Sequence, residues 1–365
     1  MDKKVNEILA RALSGQQPTE AEAVYLLGFP EYSPEATYTR GVGNDVARAR
    51  TGNTALIFGQ IGLELYPCEA DCQFCSFGET HTGFSERITL DEETIREKVR
   101  AFTKDGDLYV LWLMTMNSFD LDYFSNAVRI AREVAPPQTQ IYTNIGDTDY
   151  DTFVKLKQAG ADGVYHVVRL GEGSYTKIPV ERRLKTRADA VKAGLALQDC
   201  LEPIGPEHRA EELVERMFKT QADGIDTAGV MKRTAVPGTI FTTSITNLRM
   251  AQITAVNALV MIPSDPYPWI PIHEAEPLGL VSGGNSICAE TGVNPRDTAT
   301  DTSTSRGLDV SACRKMLWEA GFTHLAMGDG TRIALTAEYI AERDAADDAE
   351  ATTAGEAASS TAASA

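Results

Sequence analysis

The chain has 365 residues, of which 43% are hydrophobic, 24% charged and 7% aromatic, and its 52 acidic against 34 basic residues give a net charge of −18. This is a globular composition, long enough for one large α/β barrel or two smaller domains. The acidic balance excludes the clustered Lys and Arg that a nucleic-acid backbone or an anionic membrane leaflet requires, so no nucleic-acid and no membrane partner is expected.

Taken in chain order, residues 1–50 read as a helical lead-in. Val5, Ile8, Leu9 and Leu13 form a stripe of period 3.6. Thr19 followed three residues later by Glu22 has the form of a helix start. The first residues lack the apolar core of a secretory signal, and no apolar run reaches the roughly 18–20 residues of a membrane span, so a soluble, cytoplasmic protein is expected. A strand-like run over 54–66 opens an alternation. Helical 91–104 precedes strand-like 108–114, helical 121–135 precedes 140–145, and helical 150–159 precedes 163–168. Then come helical 186–194 with strand 197–204, helical 209–221 with 224–231, helical 244–254 with 256–262, and helical 273–282 with 285–288. A helix near 309–320 and a short run at 322–327 close the pattern. Gly160 and Gly194 close helical stretches before the next strand, the stop signal of an αβ loop. About eight βα units predict an α/β fold of the (β/α)8 TIM-barrel type over 51–340. An open doubly wound sheet would need a phosphate-binding glycine motif, and none is evident. Residues 341–365 are rich in Ala, Ser, Thr and acids with no apolar period, which predicts a disordered tail.

The most informative feature is Cys68-Glu-Ala-Asp-Cys72-Gln-Phe-Cys75. Three of six cysteines lie within eight residues of a long chain, a pattern of metal binding rather than of disulfides. The cluster follows the first strand of the expected barrel, on the face where barrel enzymes place their chemistry. Three thiolates can hold three irons of a [4Fe–4S] cube and leave the fourth iron open, as a catalytic cluster requires. Two other readings of the spacing are a structural zinc site completed by His81 and a ferredoxin-like cluster with a fourth cysteine.

The C-x3-C-x2-C spacing with the aromatic Phe74 before its last cysteine resembles the signature of radical S-adenosylmethionine (SAM) enzymes. The lead-in ALSGQQPTEAEAVYLL, the segment GNDVARARTGN and the strand into the cluster are similar to biotin synthase and its relatives, which include a maturase of [FeFe]-hydrogenase and methylornithine synthase. The segment 165–178, the stretch 236–239 and the run ending SGGNSI resemble further parts of that barrel, so the likeness covers about residues 5–330. It implies a [4Fe–4S] cluster on Cys68, Cys72 and Cys75, SAM on the open iron, and a 5′-deoxyadenosyl radical that takes hydrogen from a small metabolite or cofactor precursor. It also implies a reductant such as flavodoxin or ferredoxin. SAM contacts are expected from Phe74, from Met116, Asn117 and Ser118 at the end of the second strand, and from His166, Arg169 and Glu172 around the fourth. Glu202 after the fifth and Arg233 after the sixth are expected to face SAM or substrate. The chain departs from the pattern in lacking the Gly-Gly-Glu of many such enzymes.

Cys200, Cys288 and Cys313 are scattered, and the second and third strands contain no cysteine. This set is too small for the sulfur-donating [2Fe–2S] cluster of biotin synthase, and these three are expected to be small buried hydrophobes. Sulfur insertion and a non-catalytic metal-binding barrel are the alternative functions. The proline-rich run 263–274 excludes helix and central strand, and its Asp265, Tyr267, Trp269 and His273 are candidates for the rim of a pocket.

Overall fold

Parallel strands covered on both faces are built from near-continuous apolar runs. Strand β1 (Thr54–Gly62) is such a run, with eight of its nine residues buried. A computed structural model describes residues 1–273, 277–293, 295 and 307–346. In it β1 is followed by β2 (Val110–Met114), β3 (Gln140–Asn144), β4 (Gly163–Tyr165), β5 (Ala196–Ile204), β6 (Thr227–Lys232), β7 (Pro271–Ile272) and β8 (Ser286–Ala289). Each strand pairs in parallel with the next, and β8 closes on β1 through Leu56↔Ser286 and Phe58↔Cys288. The result is a closed eight-stranded parallel barrel, as the alternation predicts.

Residue alternation along the strands divides the core in two. Leu56, Phe58, Val110, Trp112, Tyr142 and Tyr165 fill the barrel interior, with Phe58 stacked on Trp112 at 4.8 Å. The intervening residues, such as Ile57, Leu111 and Ile141, face the helical layer. The Trp112 indole N–H donates to Gln198 Oε1 at 2.7 Å, which satisfies the polar handle of the largest interior side chain.

The N-terminal lead-in is three helices, α1 (Lys3–Leu13), α2 (Glu20–Leu27) and α3 (Pro34–Thr51). Thr19 and Glu22 form the reciprocal capping box that opens α2. Helices α4 (Glu92–Thr103), α5 (Leu121–Val134), α6 (Tyr150–Ala159), α7 (Val180–Lys192) and α8 (Ala210–Ala222) wrap the barrel. Helix α7 begins six residues before the expected 186.

One part of the sequence reading is overturned. The run 256–262 is not a strand: 256–260 end α9 (Asn247–Val260), a continuous helix, and 261–262 lie in the turn after it. Every residue from Met250 to Val260 is buried, because α9 lies between the barrel and the N-terminal helices. At its crossing with α3, a Cβ on Gly43 would come within 2.8 Å of the Ala255 backbone. A helix covered on all sides loses its polar stripe, and its apolar run then reads like a strand. The seventh strand is instead Pro271–Ile272 at the end of the proline-rich run, which therefore leads into the barrel. Pro271 is tolerated because this strand is only two residues long and Trp269 and Ile270 carry the neighbouring backbone hydrogen bonds. The helix expected over 273–282 is a single turn, α10 (Pro277–Leu280), with 274–276 outside the described residues.

Beyond the barrel, α11 (Val310–Glu319) is followed by β9 (His324–Ala326), which extends β1 at its start, and by β10 (Arg332–Ala334), antiparallel to β9. A final helix over 337–346 runs six residues into the segment expected to be a tail, with the Tyr339 hydroxyl donating to Asp107 at 3.1 Å. Residues 347–365 lie outside the described residues. No helix among the described residues is long and apolar enough to cross a membrane.

Candidate active site

After β1 the chain forms a loop that is closed on itself. The Cys68 N–H donates to Phe77 O at 2.7 Å, Glu79 N–H to Cys68 O at 3.0 Å, and Cys75 N–H to Cys72 O at 3.0 Å. Asp71 sits at φ 50°, a left-handed position that a short polar side chain tolerates, and its Oδ1 accepts both the backbone N–H and the hydroxyl of Thr80. The segment after β4 staples the loop from outside. Gln73 N–H donates to Tyr175 O, Lys177 N–H to Ala70 O, and the Lys177 ammonium lies 3.3 Å from Asp71. Three thiols are thus held on one braced turn of the chain.

His81, the candidate fourth ligand of a zinc site, points elsewhere. Its Nε2 lies 2.6 Å from the Cys75 carbonyl oxygen, to which it donates, and it occupies space that a Cβ on Gly78 would fill. The ring braces the turn. Burial pushes the Cys72 thiol up to about 12, with Arg169 pulling in the opposite direction, and burial also raises Cys68 against a hydrogen bond from the Asn117 backbone. A metal bound here would displace protons from these thiols.

Cys72, Phe74 and Cys75 form one wall of a cavity of about 330 Å³ at the C-terminal mouth of the barrel. Arg169, Glu202 and Arg233 line the same cavity, so six of the expected site residues meet around one space. Arg169 Nε is 3.2 Å from Glu202, and Glu202 also accepts the Tyr165 hydroxyl at 3.0 Å. Burial alone would lower the pKa of Arg169, but Glu202, Cys72 and Glu172 outweigh it and hold the guanidinium charged. Arg233 is paired in bidentate fashion with Glu207 and stacks over Phe241 at 3.8 Å, so its position is fixed and its charge already balanced.

The other expected residues stand around this cavity rather than in its wall. Met116 is buried behind the end of β2. Asn117 and Ser118 both donate to Glu69 Oε1 and line a neighbouring surface groove with Asp147 and Arg182. Those two bonds outweigh the burial of Glu69 and hold its pKa below the ordinary range. Glu172 accepts from the Arg169 backbone N–H at 3.1 Å and from Arg183 at 3.3 Å, which anchors the turn carrying Arg169. His166 lies 3.0 Å from Asp147 and 3.3 Å from Arg183, and burial, the largest influence, lowers its pKa to about 4. These are groups that hold the wall in place.

The sequence reading missed Gln60, Met114, Asn144, Tyr165 and Met231, which also line the cavity. Each lies in or at the end of a barrel strand, and strand-end position was the signal available. Of the proline-rich run, His273 reaches the cavity, while Tyr267 donates to Ala258 O inside the fold and Trp269 packs against the interior cluster. Cys200 and Cys288 belong to the barrel interior, and Cys313 is buried on α11.

No family model matches the chain. It is 22% identical to a biotin synthase of Brachyspira hyodysenteriae over 329 residues, which is 87% of this chain and 94% of that protein. A biotin synthase of Endomicrobium trichonymphae is 22% identical over 191 residues, 52% of this chain and 57% of that one. The match to two further biotin synthases likewise spans little more than half of their length, 56% and 59%. Among solved structures, methylornithine synthase superposes with a TM-score of 0.72 at 19% identity, covering 86% of this chain and 96% of that one. The [FeFe]-hydrogenase maturase HydG of Carboxydothermus hydrogenoformans superposes with a TM-score of 0.74 at 16% identity, covering 89% and 79%.

Proposed function

We propose that this chain, which belongs to the biotin synthase-like group of radical SAM proteins, is an enzyme that binds a [4Fe–4S] cluster on Cys68, Cys72 and Cys75 and SAM in the adjoining cavity. The observation that carries this reading is a braced three-thiol turn of which Cys72 and Cys75 line one cavity together with the charged Arg169. The donor set fits: three cysteines on one turn, His81 turned away to a backbone carbonyl, and a space beside the thiols for a further ligand. A cluster held by Cys68, Cys72 and Cys75 would supply one-electron reduction of SAM, the chemistry that opens hydrogen abstraction from an unactivated C–H bond.

The chain's own residues position and shield. Arg169 offers a guanidinium to a carboxylate, and Glu202 with Tyr165 fixes its orientation. Phe74 places an aromatic face beside the thiols, while Met114, Tyr165 and Met231 give the floor an apolar lining that excludes water. The hydrogen donor in this reading is a small metabolite or cofactor precursor. The three cysteines are only half-buried and the following segment 79–89 is largely exposed, which leaves a docking approach for a reductant such as flavodoxin or ferredoxin.

Anaerobic reconstitution tests the reading. One cubane cluster per chain, an electron paramagnetic resonance signal that changes on adding SAM, and release of 5′-deoxyadenosine are expected. A stoichiometric zinc in the thiol turn, with no SAM cleavage under reducing conditions, would overturn it.

A further inference from the structure

A second set of donors meets inside the barrel. His273 follows β7, Cys288 lies in β8 and Glu290 follows β8, and one ligand atom from each falls within 4.8 Å of the others. All three side chains are buried, at 6, 4 and 4% exposure. Cys288 belongs to the interior cluster, and Glu290, two residues on and just past the end of β8, lines the cavity at the barrel mouth. His273 comes from the adjacent parallel strand, and its ring stacks on Trp112 at 5.7 Å and 13°, which fixes the imidazole plane. His273 and Glu290 also line the cavity that Cys72 and Arg169 share.

We propose that His273, Cys288 and Glu290 form a second metal site, binding one divalent transition metal, zinc in the first instance. Imidazole, thiolate and carboxylate together match the donors zinc takes; around a tetrahedral zinc at about 2.0–2.3 Å such donors lie about 3.3–3.8 Å apart, so the three atoms, within 4.8 Å of one another, close on an ion by small side-chain rotations. A divalent ion would meet an imidazole, a thiolate and a carboxylate at once. Three protein ligands leave a fourth position, and the two donors that line the cavity direct it there. That position is available to an oxygen, nitrogen or sulfur donor of a small molecule held in the cavity. The assignment does not rest on the cysteine turn, which contributes no ligand.

The test uses the full chain with Cys68, Cys72 and Cys75 all changed to Ala, so that the turn holds no metal. After incubation with Zn2+ and dialysis, elemental analysis is expected to find one zinc per chain. Loading with Co2+ is expected to give a thiolate-to-cobalt charge-transfer band. Adding Cys288→Ser should abolish the band, and adding His273→Gln or Glu290→Gln should lower the retained zinc at least tenfold, with the far-ultraviolet circular dichroism of each variant showing that it folds. Cys200→Ser should change neither readout. Zinc that is lost with the turn cysteines alone, or retained in folded His273→Gln and Cys288→Ser proteins, would overturn the proposal.

Discussion

Arg169 stands 3.2 Å from Glu202 at the edge of the cavity, and both are held from behind: Glu172 accepts the Arg169 backbone N–H, and Tyr165 donates to Glu202. The charged face of the cavity is therefore a supported pair. Its aim is set by β4, β5 and the turn after β4.

Removing one member of this pair leaves the other uncompensated. Arg169→Met is expected to cost about 3 kcal/mol of folding stability, measured by urea denaturation, because the buried Glu202 loses its ion-pair partner, while Glu172 keeps Arg183. Glu202→Gln keeps the shape and should cost less. Combining the two should recover part of the loss. If Arg169 receives the carboxylate of SAM, equilibrium dialysis should find SAM binding to the cluster-loaded Arg169→Lys protein weakened about tenfold to a hundredfold, the worth of a charged hydrogen bond. Unchanged SAM affinity would remove Arg169 from the binding site.

His166 gives the protein an acid limit. Its pKa falls from an ordinary 6.5 to about 4 on folding, chiefly through burial, so the unfolded chain binds the proton more readily than the folded one. Stability contributed by the neutral imidazole is present above about pH 6.5 and is lost progressively as pH falls toward 4, by on the order of 3 kcal/mol. Asp147 has a lowered pKa, burial opposing it and His166 and Arg183 outweighing burial, so its contribution is lost at lower pH still. Urea midpoints measured from pH 7.5 to 4.5 should fall. In a His166→Gln protein, the slope between pH 6.5 and 4.5 should flatten, and a slope identical to that of the parent would rule His166 out as its source.

The barrel was readable because each strand and helix carries its own local signal: Thr19 and Glu22 cap α2, glycines at 160 and 194 stop helices, and β1 is apolar throughout. Helix α9 was not, since burial on every side erased the polar stripe by which a helix declares itself. The cysteine turn was legible because three thiols in eight residues is a rare local pattern. The cavity wall was not: Gln60, Asn144 and Tyr165 are ordinary residues in sequence and acquire a role only when strand closure brings β1, β3 and β4 to one mouth. For the same reason the His273, Cys288 and Glu290 cluster leaves little trace in the sequence, since His273 meets the other two only where β7 pairs with β8.

Gly146 is a position where packing alone dictates the residue. A Cβ there would overlap the carbonyl of Asn117, the residue that with Ser118 grips Glu69 beside the cysteine turn. Backbone cannot yield as a side-chain tip can, so Gly146→Ala is expected to cost about 1–3 kcal/mol, read as a lowered urea midpoint. At Gly41 in α3 an added methyl group would meet nothing within 4 Å, and Gly41→Ala should be neutral or stabilising by about 0.5–1 kcal/mol through helix propensity. Equal effects at the two positions would contradict the close approach at Asn117.

The cysteines should divide by position rather than by burial. Changing Cys68, Cys72 or Cys75 to Ala removes one of three ligands on a single turn, and each variant is expected to lose most of its cluster iron and its SAM cleavage after anaerobic reconstitution. The turn itself should persist, since its backbone hydrogen bonds and the Asp71, Thr80 and His81 contacts do not involve the thiols. Circular dichroism and the urea midpoint should therefore stay near those of the parent. Cys200→Ala and Cys313→Ala should show the reverse: full iron loading and normal 5′-deoxyadenosine release, with a packing loss of about 1 kcal/mol for a small buried thiol. Cys200 has Gly229 at its side, where a Cβ would come within 3.0 Å of its sulfur, so the truncation leaves a small gap there. Normal SAM cleavage in the Cys72→Ala protein would overturn the cluster assignment. Loss of substrate turnover with intact SAM cleavage in the Cys200→Ala protein would place that thiol in the chemistry and favour sulfur transfer over simple hydrogen abstraction.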